Sequence, residues 1–424
     1  MGQGYYTITR ITDYGPYVTK IILPVPQTVK KAAVKPEQFS VYVERMDEKG
    51  EILSLPKSWM APDDKEPSKG YIPVTGAYPS DIDGNSAESG GFITLEMAYG
   101  PLMQLSASIC APAGFNVYIK SRYRITQTTD IETAEGKLTG LFYDFLLGNQ
   151  SPDAAGFLNS TSSCEPEPLN YGYFIPQDVE EGKRPLIVWM HGAGEGGVDA
   201  TIAYTGNKVV RLASPEVQKL FGGAYILAPQ TKTFWLNDGS GEYGRTGKSM
   251  YVDALKATID EFVEKNPGID RDRIYIGGDS NGGFMTMRMI VDFPEYFAAA
   301  FPICEALYDE LISDQDIENI RHLPIWFTHA KNDPVVDPDE TVVPTYKRLI
   351  AAGAPDVHFT FWDCVKDIHE GFKDAEGNPY EYFGHFTWIP MLNDDCKLDY
   401  DGKPVCKNGK EVTLLEWLAM QKRS

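Results

Sequence analysis

The first 130 residues alternate apolar and polar positions over short runs that turn residues separate. The runs are rich in Tyr, Val, Ile and Thr and include YYTITRI, YVTKIIL, QFSVYVERM, GFITLEMA and NVYIKSRYRI. Turn clusters such as DYGP, PSDIDGNSAESGG and APAG lie between them. Such residues at a period of two favour strands. Because no helical period accompanies them, the pattern predicts a β-sandwich domain over residues 1–130.

The pattern changes further along the chain. Residues 131–168, which include GNQSPDAAGFLNSTSSCEPEP, are predicted to form a linker. From residue 169, apolar runs such as PLIVWMHG, AYILAPQ, RIYIGGDS and LPIWFTHA alternate with segments of helical spacing such as SMYVDALKATIDEFVEKNPG and ETVVPTYKRLIAAG. EVTLLEWLAMQK closes the chain as a further amphipathic helix. Strand–helix alternation predicts an α/β domain over residues 169–424, with a mostly parallel sheet covered on both faces.

The net charge narrows the class of partner. Lys and Arg total 39 against 60 Asp and Glu, which gives −21. So acidic a chain repels phosphate backbones and anionic lipid, so neither nucleic acid nor a membrane surface is an expected partner. The start, MGQGYYTITR, lacks the apolar core of a signal peptide. The protein is therefore expected to be either cytoplasmic or secreted with its leader removed, and the oligomeric state stays open.

The cysteines and histidines do not indicate a metal site. None of the six Cys falls in a CxxC pair, no HExxH is present, and the six His are scattered singly. The segment DIDGN lacks the later Glu of a calcium loop and is interpreted as a turn. Cys396 and Cys406 bracket the turn-rich KLDYDGKPV and are predicted as a plausible disulfide.

A candidate nucleophile lies between a strand and a helix. Residues 278–282 read Gly-Asp-Ser-Asn-Gly, a G-x-S-x-G pattern, directly after the apolar IYI and before NGGFMTMRM. A tight turn at this place projects the Ser280 hydroxyl above the sheet, and the flanking glycines avoid collisions with neighbouring elements. We therefore predict that Ser280 is a catalytic nucleophile.

A glycine-rich loop after an earlier strand can supply an oxyanion hole. His191-Gly-Ala-Gly-Glu-Gly-Gly follows PLIVWM, without the Gly-Lys-Ser/Thr of a phosphate-binding loop. The amide of Ala193 or Gly194 is predicted to pair with that of Asn281 around a developing anion. His191 is interpreted as a structural hydrogen-bonding residue of the loop.

An activated serine needs a base and an orienting acid, which follow it in the order acid, then histidine. Asp333, just after LPIWFTHA, is favoured as the acid over Asp337. His385 in YFGHFTWIP is favoured as the base over His369 in KDIHEGF, whereas His358 within VHFTFW is interpreted as structural.

Two tryptophans are candidate substrate contacts, with packing around the loops an equally good interpretation. Trp235 follows APQTKTF and Trp388 follows His385, so both are expected near the carboxyl ends of strands, where the pocket must lie.

These motifs carry a family resemblance. In order, LIVWMHGAGEGG, ILAPQ, RIYIGGDSNGGFMTM, HAKNDPVV, GHFTWIP and LLEWLAMQ make residues 170–421 similar to the α/β-hydrolase superfamily. They most resemble esterases related to polyhydroxybutyrate depolymerases and feruloyl esterases, which are often grouped with peptidases of the prolyl oligopeptidase type. The whole chain resembles bacterial esterases that carry an immunoglobulin-like domain before the hydrolase. Asn281 stands where many relatives have Met or Gln, so the substrates of subfamilies do not carry over.

The motifs and the resemblance together predict a serine hydrolase that cleaves carboxylic esters through an acyl-enzyme, with the triad Ser280, Asp333 and His385 and no cofactor. A small-molecule or polymer-linked ester is the expected substrate. A serine peptidase with the same triad is the alternative. A carbohydrate- or surface-binding protein that has lost activity is disfavoured, because the serine, acid, histidine and glycine loop are all present.

Overall fold

The computed structural model describes residues 2–423 except 48, 59–60, 113, 178–181 and 242. The chain divides into two compact units, residues 1–155 and residues 156–424.

Eight strands form the main sheet of the first unit. They are β1 (Gln3–Thr12), β2 (Gly15–Lys30), β3 (Phe39–Met46), β4 (Lys69–Ile72), β5 (Val74–Ser80), β6 (Ser89–Met97), β7 (Lys120–Gln127) and β8 (Phe142–Gln150). Their order in the sheet is β4-β3-β7-β8-β1-β2-β6-β5. Two-stranded hairpins join Ser54–Ser58 to Ala61–Pro67, Ile109–Cys110 to Val117–Tyr118 and Ile131–Thr133 to Gly136–Leu138.

The sheet of the first unit closes around one core. Val41 of β3 and Leu95 of β6 belong to the same buried cluster, although their strands lie towards opposite ends of the strand order. Tyr5 of β1 links this core to β7, because its hydroxyl accepts a hydrogen bond from the amide of Tyr123 at 2.9 Å. A sheet whose two ends share one apolar interior has the packing of a β-sandwich, as the alternating pattern predicts.

The predicted linker, residues 131–168, is instead divided between the two units. Strand β8 within it pairs with β1 and β7 of the first sheet. The following strand, β9 (Phe157–Thr161), belongs to the sheet of the second unit. The sequence does not predict β8, because Phe145, Leu146 and Leu147 follow one another and do not alternate with polar residues. In the structure all three are about half exposed, as an alternating pattern would not indicate.

The second unit contains an eight-stranded sheet. After β9 come β10 (Asn170–Phe174), β11 (Arg184–Met190), β12 (Tyr225–Gln230), β13 (Ile269–Asp279), β14 (Ala299–Ile303), β15 (Ile325–Ala330) and β16 (Val357–Trp362). The strand order is β9-β10-β12-β11-β13-β14-β15-β16. Strands β9 and β10 are antiparallel to their neighbours, and the pairs from β12 to β16 are parallel.

Helices occupy the connections and the carboxyl end of this unit. They are α1 (Ile202–Thr205), α2 (Pro215–Phe221), α3 (Val252–Lys265), α4 (Asn281–Asp292), α5 (Asp314–Ile320), α6 (Val342–Ala351), α7 (Trp388–Leu392) and α8 (Leu414–Ala419). In α3, Leu255, Ile259 and Phe262 are buried on one face, as their spacing predicts. The strands β11 to β16 all end at the same edge of the sheet, which gathers the loops that follow them.

The cysteines differ from the sequence expectation. Cys396 and Cys406 are both free thiols. Cys396 is buried and its Sγ lies 3.1 Å from Oγ1 of Thr328, whereas Cys406 is exposed in a hairpin with residues 410–411. The two thiols therefore lie in different surroundings, and the predicted disulfide is not formed.

Among the described helices, none has the length and the apolar character that a bilayer crossing requires. Within the same described residues, no group of three or more His, Cys, Asp or Glu side chains is arranged to hold a metal ion.

Candidate active site

Ser280 occupies a strained turn between β13 and α4. Its φ of 56° and ψ of −115° lie outside the regions that a residue with a side chain normally adopts. The surroundings hold it there, since its amide donates to the carbonyl oxygen of Ile303 (2.9 Å) and its own carbonyl accepts from Phe284 (2.9 Å). Such strain persists only where the surrounding structure enforces it. The turn places the half-buried Ser280 at the edge of the sheet.

The glycines around the serine are required by close backbone approach. A Cβ on Gly278 or on Gly282 would lie under 3.0 Å from the carbonyl oxygen of Met190 at the end of β11. A Cβ on Gly283 would collide in the same way with the carbonyl oxygen of Ile303. The serine turn therefore packs directly on the ends of the two neighbouring strands, as its sequence pattern predicts.

The glycine loop after β11 lies against the same turn. Ala193 and Gly194 open a short 3₁₀ turn, residues 193–195, and both are partly exposed. Asn281 is the first residue of α4. The amides in the first turn of a helix have no carbonyl acceptor within the helix itself. Both predicted sources of oxyanion-hole donors thus lie where the loop and the helix begin.

His191 anchors this loop rather than acting as a base. Its Nδ1 lies 2.6 Å from the carbonyl oxygen of Gly192, and its Nε2 accepts from the amide of Thr231 (3.1 Å). Burial lowers the pKa of His191 to about 4, against a smaller opposing effect of the Gly192 hydrogen bond. The ring is therefore neutral at pH 7 and joins the ends of β11 and β12.

Asp333 and His385 form a buried pair. Oδ2 of Asp333 accepts from Nδ1 of His385 at 2.7 Å, and the two residues are 8% and 6% exposed. Burial alone would raise the pKa of Asp333, but hydrogen bonds from His329 and His385 hold it below its usual range. The carboxylate therefore stays ionised and fixes the imidazole with Nε2 directed away from it.

One thiol connects the serine turn with the histidine loop. Cys304, directly after β14, contacts both the backbone of Ser280 and the side chain of Thr387. Burial raises the pKa of this thiol well above its ordinary value, and the charges of Asp279 and Asp333 add to the effect. The neutral thiol thus brings the segment after His385 against the turn that carries the nucleophile.

Comparisons with known proteins identify the relatives of both units. Residues 4–140 match a family model described as the esterase Ig-like N-terminal domain, and residues 235–333 match the prolyl oligopeptidase family. A crystal structure of a thermostable esterase superposes with a TM-score of 0.75 at 25% identity, covering 99% of this chain and 100% of the other.

The second unit has the α/β-hydrolase fold. The first unit matches the model of the immunoglobulin-like domain found at the N-terminus of esterases.

Other solved hydrolases are similar over less of their length. An acylaminoacyl peptidase of Pyrococcus horikoshii is 17% identical with a TM-score of 0.40, over 70% of this chain and 50% of that one. A ferulic acid esterase is 16% identical with a TM-score of 0.39, over 49% of this chain and 90% of that one. No curated protein matches the sequence.

The residues kept as alternatives to the triad are engaged elsewhere in the hydrolase. His369 is 41% exposed at its side chain and its Nε2 bonds Asp395 at 2.9 Å. Asp337 is exposed and its carboxylate accepts from the amide of Asp339. His358 lies between Asp356 and Asp399, at 3.0 and 2.7 Å, as its structural interpretation predicts.

Both tryptophans lie inside the hydrolase, which differs from the substrate contact predicted for them. Trp235 is fully buried and packs on His191 and Tyr251, with ring centroids 5.2 and 5.9 Å apart. Trp388 is 7% exposed and meets the His385 ring edge-on at 5.9 Å. The large apolar surface of an indole favours burial, so packing around the loops accounts for both positions.

Three buried polar residues beside the site escaped the sequence analysis. Burial, followed by the charge of Glu195, raises the pKa of Asp279 well above its ordinary value. Burial raises the pKa of Glu305, next to Cys304, to about 8. His329 contacts Asp333 at 3.0 Å. Of these three residues, only His329 stands out in the sequence, because it is a single histidine at the end of an apolar strand. It lies four residues before Asp333.

A groove of about 860 Å³ lies between loops that follow β12, β14 and β15. Tyr243 and Tyr308 line it, and both are about half exposed. Its walls include the acidic side chains of Glu310 and Glu340 and the basic side chain of Arg245. The groove therefore opens at the same sheet edge as the site and has polar, mostly acidic walls.

Proposed function

We propose that the chain is a serine esterase in which Ser280, His385 and Asp333 form the catalytic triad. The observation that carries this proposal is the buried Asp333–His385 pair. The strained strand–helix turn that holds Ser280 supports it. The full-length likeness to a thermostable esterase supports the ester as the substrate.

In the proposed reaction, Oγ of Ser280 attacks the ester carbonyl while Nε2 of His385 takes its proton. Asp333 keeps the Nδ1 proton on the other side of the ring and stabilises the imidazolium. Amides of Asn281 and of Ala193 or Gly194 donate to the tetrahedral oxyanion. The protonated His385 then gives its proton to the leaving alcohol, and water repeats the sequence on the acyl-enzyme.

The direct test is hydrolysis of p-nitrophenyl esters from acetate to laurate. We expect turnover in the wild type, its loss in Ser280→Ala, and normal turnover in the matched control Ser160→Ala, whose serine is exposed on β9. The chain-length profile would size the acyl pocket. Equal turnover in the two variants would refute the assignment of Ser280.

Peptidase activity of the same triad is the second candidate, and the match of residues 235–333 to the prolyl oligopeptidase family favours it. Acyl-amino-acid p-nitroanilides and p-nitrophenyl esters of the same acyl group separate the two. A higher kcat/KM on the ester is expected, because the phenolate leaves more readily than an amine. A higher kcat/KM on the anilide would assign a peptidase.

A further inference from the structure

Two imidazoles meet one oxygen of the proposed catalytic acid. Oδ1 of Asp333 accepts from the amides of Val335 (2.8 Å) and Val336 (3.1 Å). Oδ2 accepts from Nδ1 of His385 at 2.7 Å and lies 3.0 Å from Nε2 of His329. The carboxylate is thus held by four donors, and only one of them belongs to the proposed triad.

The surroundings of His329 define which nitrogen carries its proton. The side chain lies on β15 and is fully buried. Its Nε2 faces two acceptors, Oδ2 of Asp333 and the carbonyl oxygen of Val336 at 3.1 Å. Its Nδ1 is buried and finds no hydrogen-bond partner among the described residues. A proton on Nε2 satisfies both acceptors, whereas one on Nδ1 would be left without an acceptor.

We propose that His329 is a positioning residue, whose Nε2–H keeps Oδ2 of Asp333 directed at His385 and takes up part of the carboxylate charge. This inference rests on the proposed function. In this arrangement His329 acts through Asp333, which it contacts at 3.0 Å.

Charge sharing of this kind affects the base. A carboxylate oxygen that already accepts from a neutral donor stabilises the imidazolium of His385 less than one that accepts from His385 alone. A further titratable group near Asp333 is the Cys304 thiol, whose pKa burial raises well above its ordinary value, so it stays neutral. Without His329, the acid limb of the pH profile of kcat/KM should therefore move to higher pH.

The test compares His329→Leu and His329→Asn with His329→Gln, whose amide nitrogen can replace Nε2. On p-nitrophenyl acetate we expect Leu and Asn to lower kcat about tenfold or more, with KM within about twofold. The acid limb should move up by roughly half a pH unit or more. Gln should restore most of both properties.

The matched control is His358→Leu, which removes a partly buried histidine from the neighbouring strand β16. It is expected to lower stability without moving the acid limb. If His329→Leu does not fold, the comparison of Asn with Gln replaces it. An unchanged acid limb in folded Leu and Asn variants, or equal losses in Asn and Gln, would overturn the proposal.

A second readout does not depend on turnover. The proton between Nδ1 of His385 and Asp333 should give a downfield NMR resonance that moves in His329→Asn and keeps its position in His329→Gln. A resonance that is the same in both variants overturns the positioning role. Absence of Ser280-dependent turnover in the wild type would instead overturn the proposed function and leave this readout intact.

Discussion

At the scale of the residue, the site depends on polar groups whose charge is set by burial. Asp333 stays ionised because donors surround it, whereas burial keeps Cys304 and Glu305 largely neutral near pH 7. A negative charge next to Ser280 would oppose a developing oxyanion. Asp333 is thus the ionised partner of His385, whereas the Cys304 thiol, which contacts the backbone of Ser280, is uncharged.

The proposed base is tested by removing each loop histidine in turn. His385→Ala should lower kcat by about three orders of magnitude or more, because the serine then loses its proton acceptor. His369→Ala should leave kcat within about twofold, since His369 is largely exposed and bonds Asp395 rather than Asp333. Steady-state kinetics on p-nitrophenyl acetate measure both. A large loss in His369→Ala alone would move the base to that residue.

The proposed acid is tested by two isosteric changes. Asp333→Asn should lower kcat about 10⁴-fold, because the amide favours the wrong tautomer of His385. Asp337→Asn is the control, since Asp337 is exposed and its carboxylate accepts from the amide of Asp339. Circular dichroism of both variants establishes that each is folded. Equal kcat values in the two variants would contradict the assignment.

At the scale of the element, the ends of β11, β13 and β14 and the start of α4 form one packed unit. The serine turn is held by glycines that allow backbone contact with Met190 and Ile303, so turn, strand ends and oxyanion loop are placed together. The positions of the turn, the strand ends and the loop therefore depend on main-chain packing more than on contacts between loops.

Substitution of Gly282 probes that packing. The added Cβ of Gly282→Ala would collide with the carbonyl oxygens of Met190 and His191, so the glycine loop must shift. We expect a loss of about 1–3 kcal/mol in the free energy of unfolding and a lower kcat. Gly91→Ala is the control, because no atom lies within 4 Å of its added Cβ. Urea unfolding of the two variants decides, and equal stability would contradict the account.

The histidine on β16 makes stability depend on pH. Burial would lower the pKa of His358, but hydrogen bonds to Asp356 and Asp399 raise it above its ordinary value. The raised pKa stabilises the fold fully below the unfolded pKa of about 6.5, and this is lost as pH rises through the folded pKa. The urea midpoint of the wild type should therefore exceed that of His358→Asn most at pH 6 and less at pH 9. A difference that grows with pH would contradict the assignment.

The sequence predicted the elements that carry a clear period and the residues that carry a motif. The buried strands, α3, α4 and α6, and the Asp333–His385 pair were all accessible, because strand ends and chain order constrain them. Strand β8 was missed because its exposed apolar run has no alternation. The burial of Trp235 and the contact of His329 depend on which loop covers which side chain, and no periodicity encodes that.

At the scale of the whole molecule, the charge of −21 and the acidic groove walls create a negative potential. We expect kcat/KM for an anionic ester, p-nitrophenyl hemisuccinate, to be lower than for neutral p-nitrophenyl acetate. Salt screens exposed charges beyond about 10 Å at 0.1 M, so raising NaCl should narrow the difference. Salt should leave the neutral ester nearly unchanged. An anionic ester that reacts faster at low salt would contradict this account.

The central claim is that one serine forms the acyl-enzyme, and covalent labelling tests it most directly. The protein is treated with a fluorophosphonate, and the modified peptide is identified by mass spectrometry. The account predicts one adduct, on Ser280, that is absent in Ser280→Ala and much slower to form in His385→Ala. An adduct on another residue, or ester turnover that survives Ser280→Ala, would contradict it.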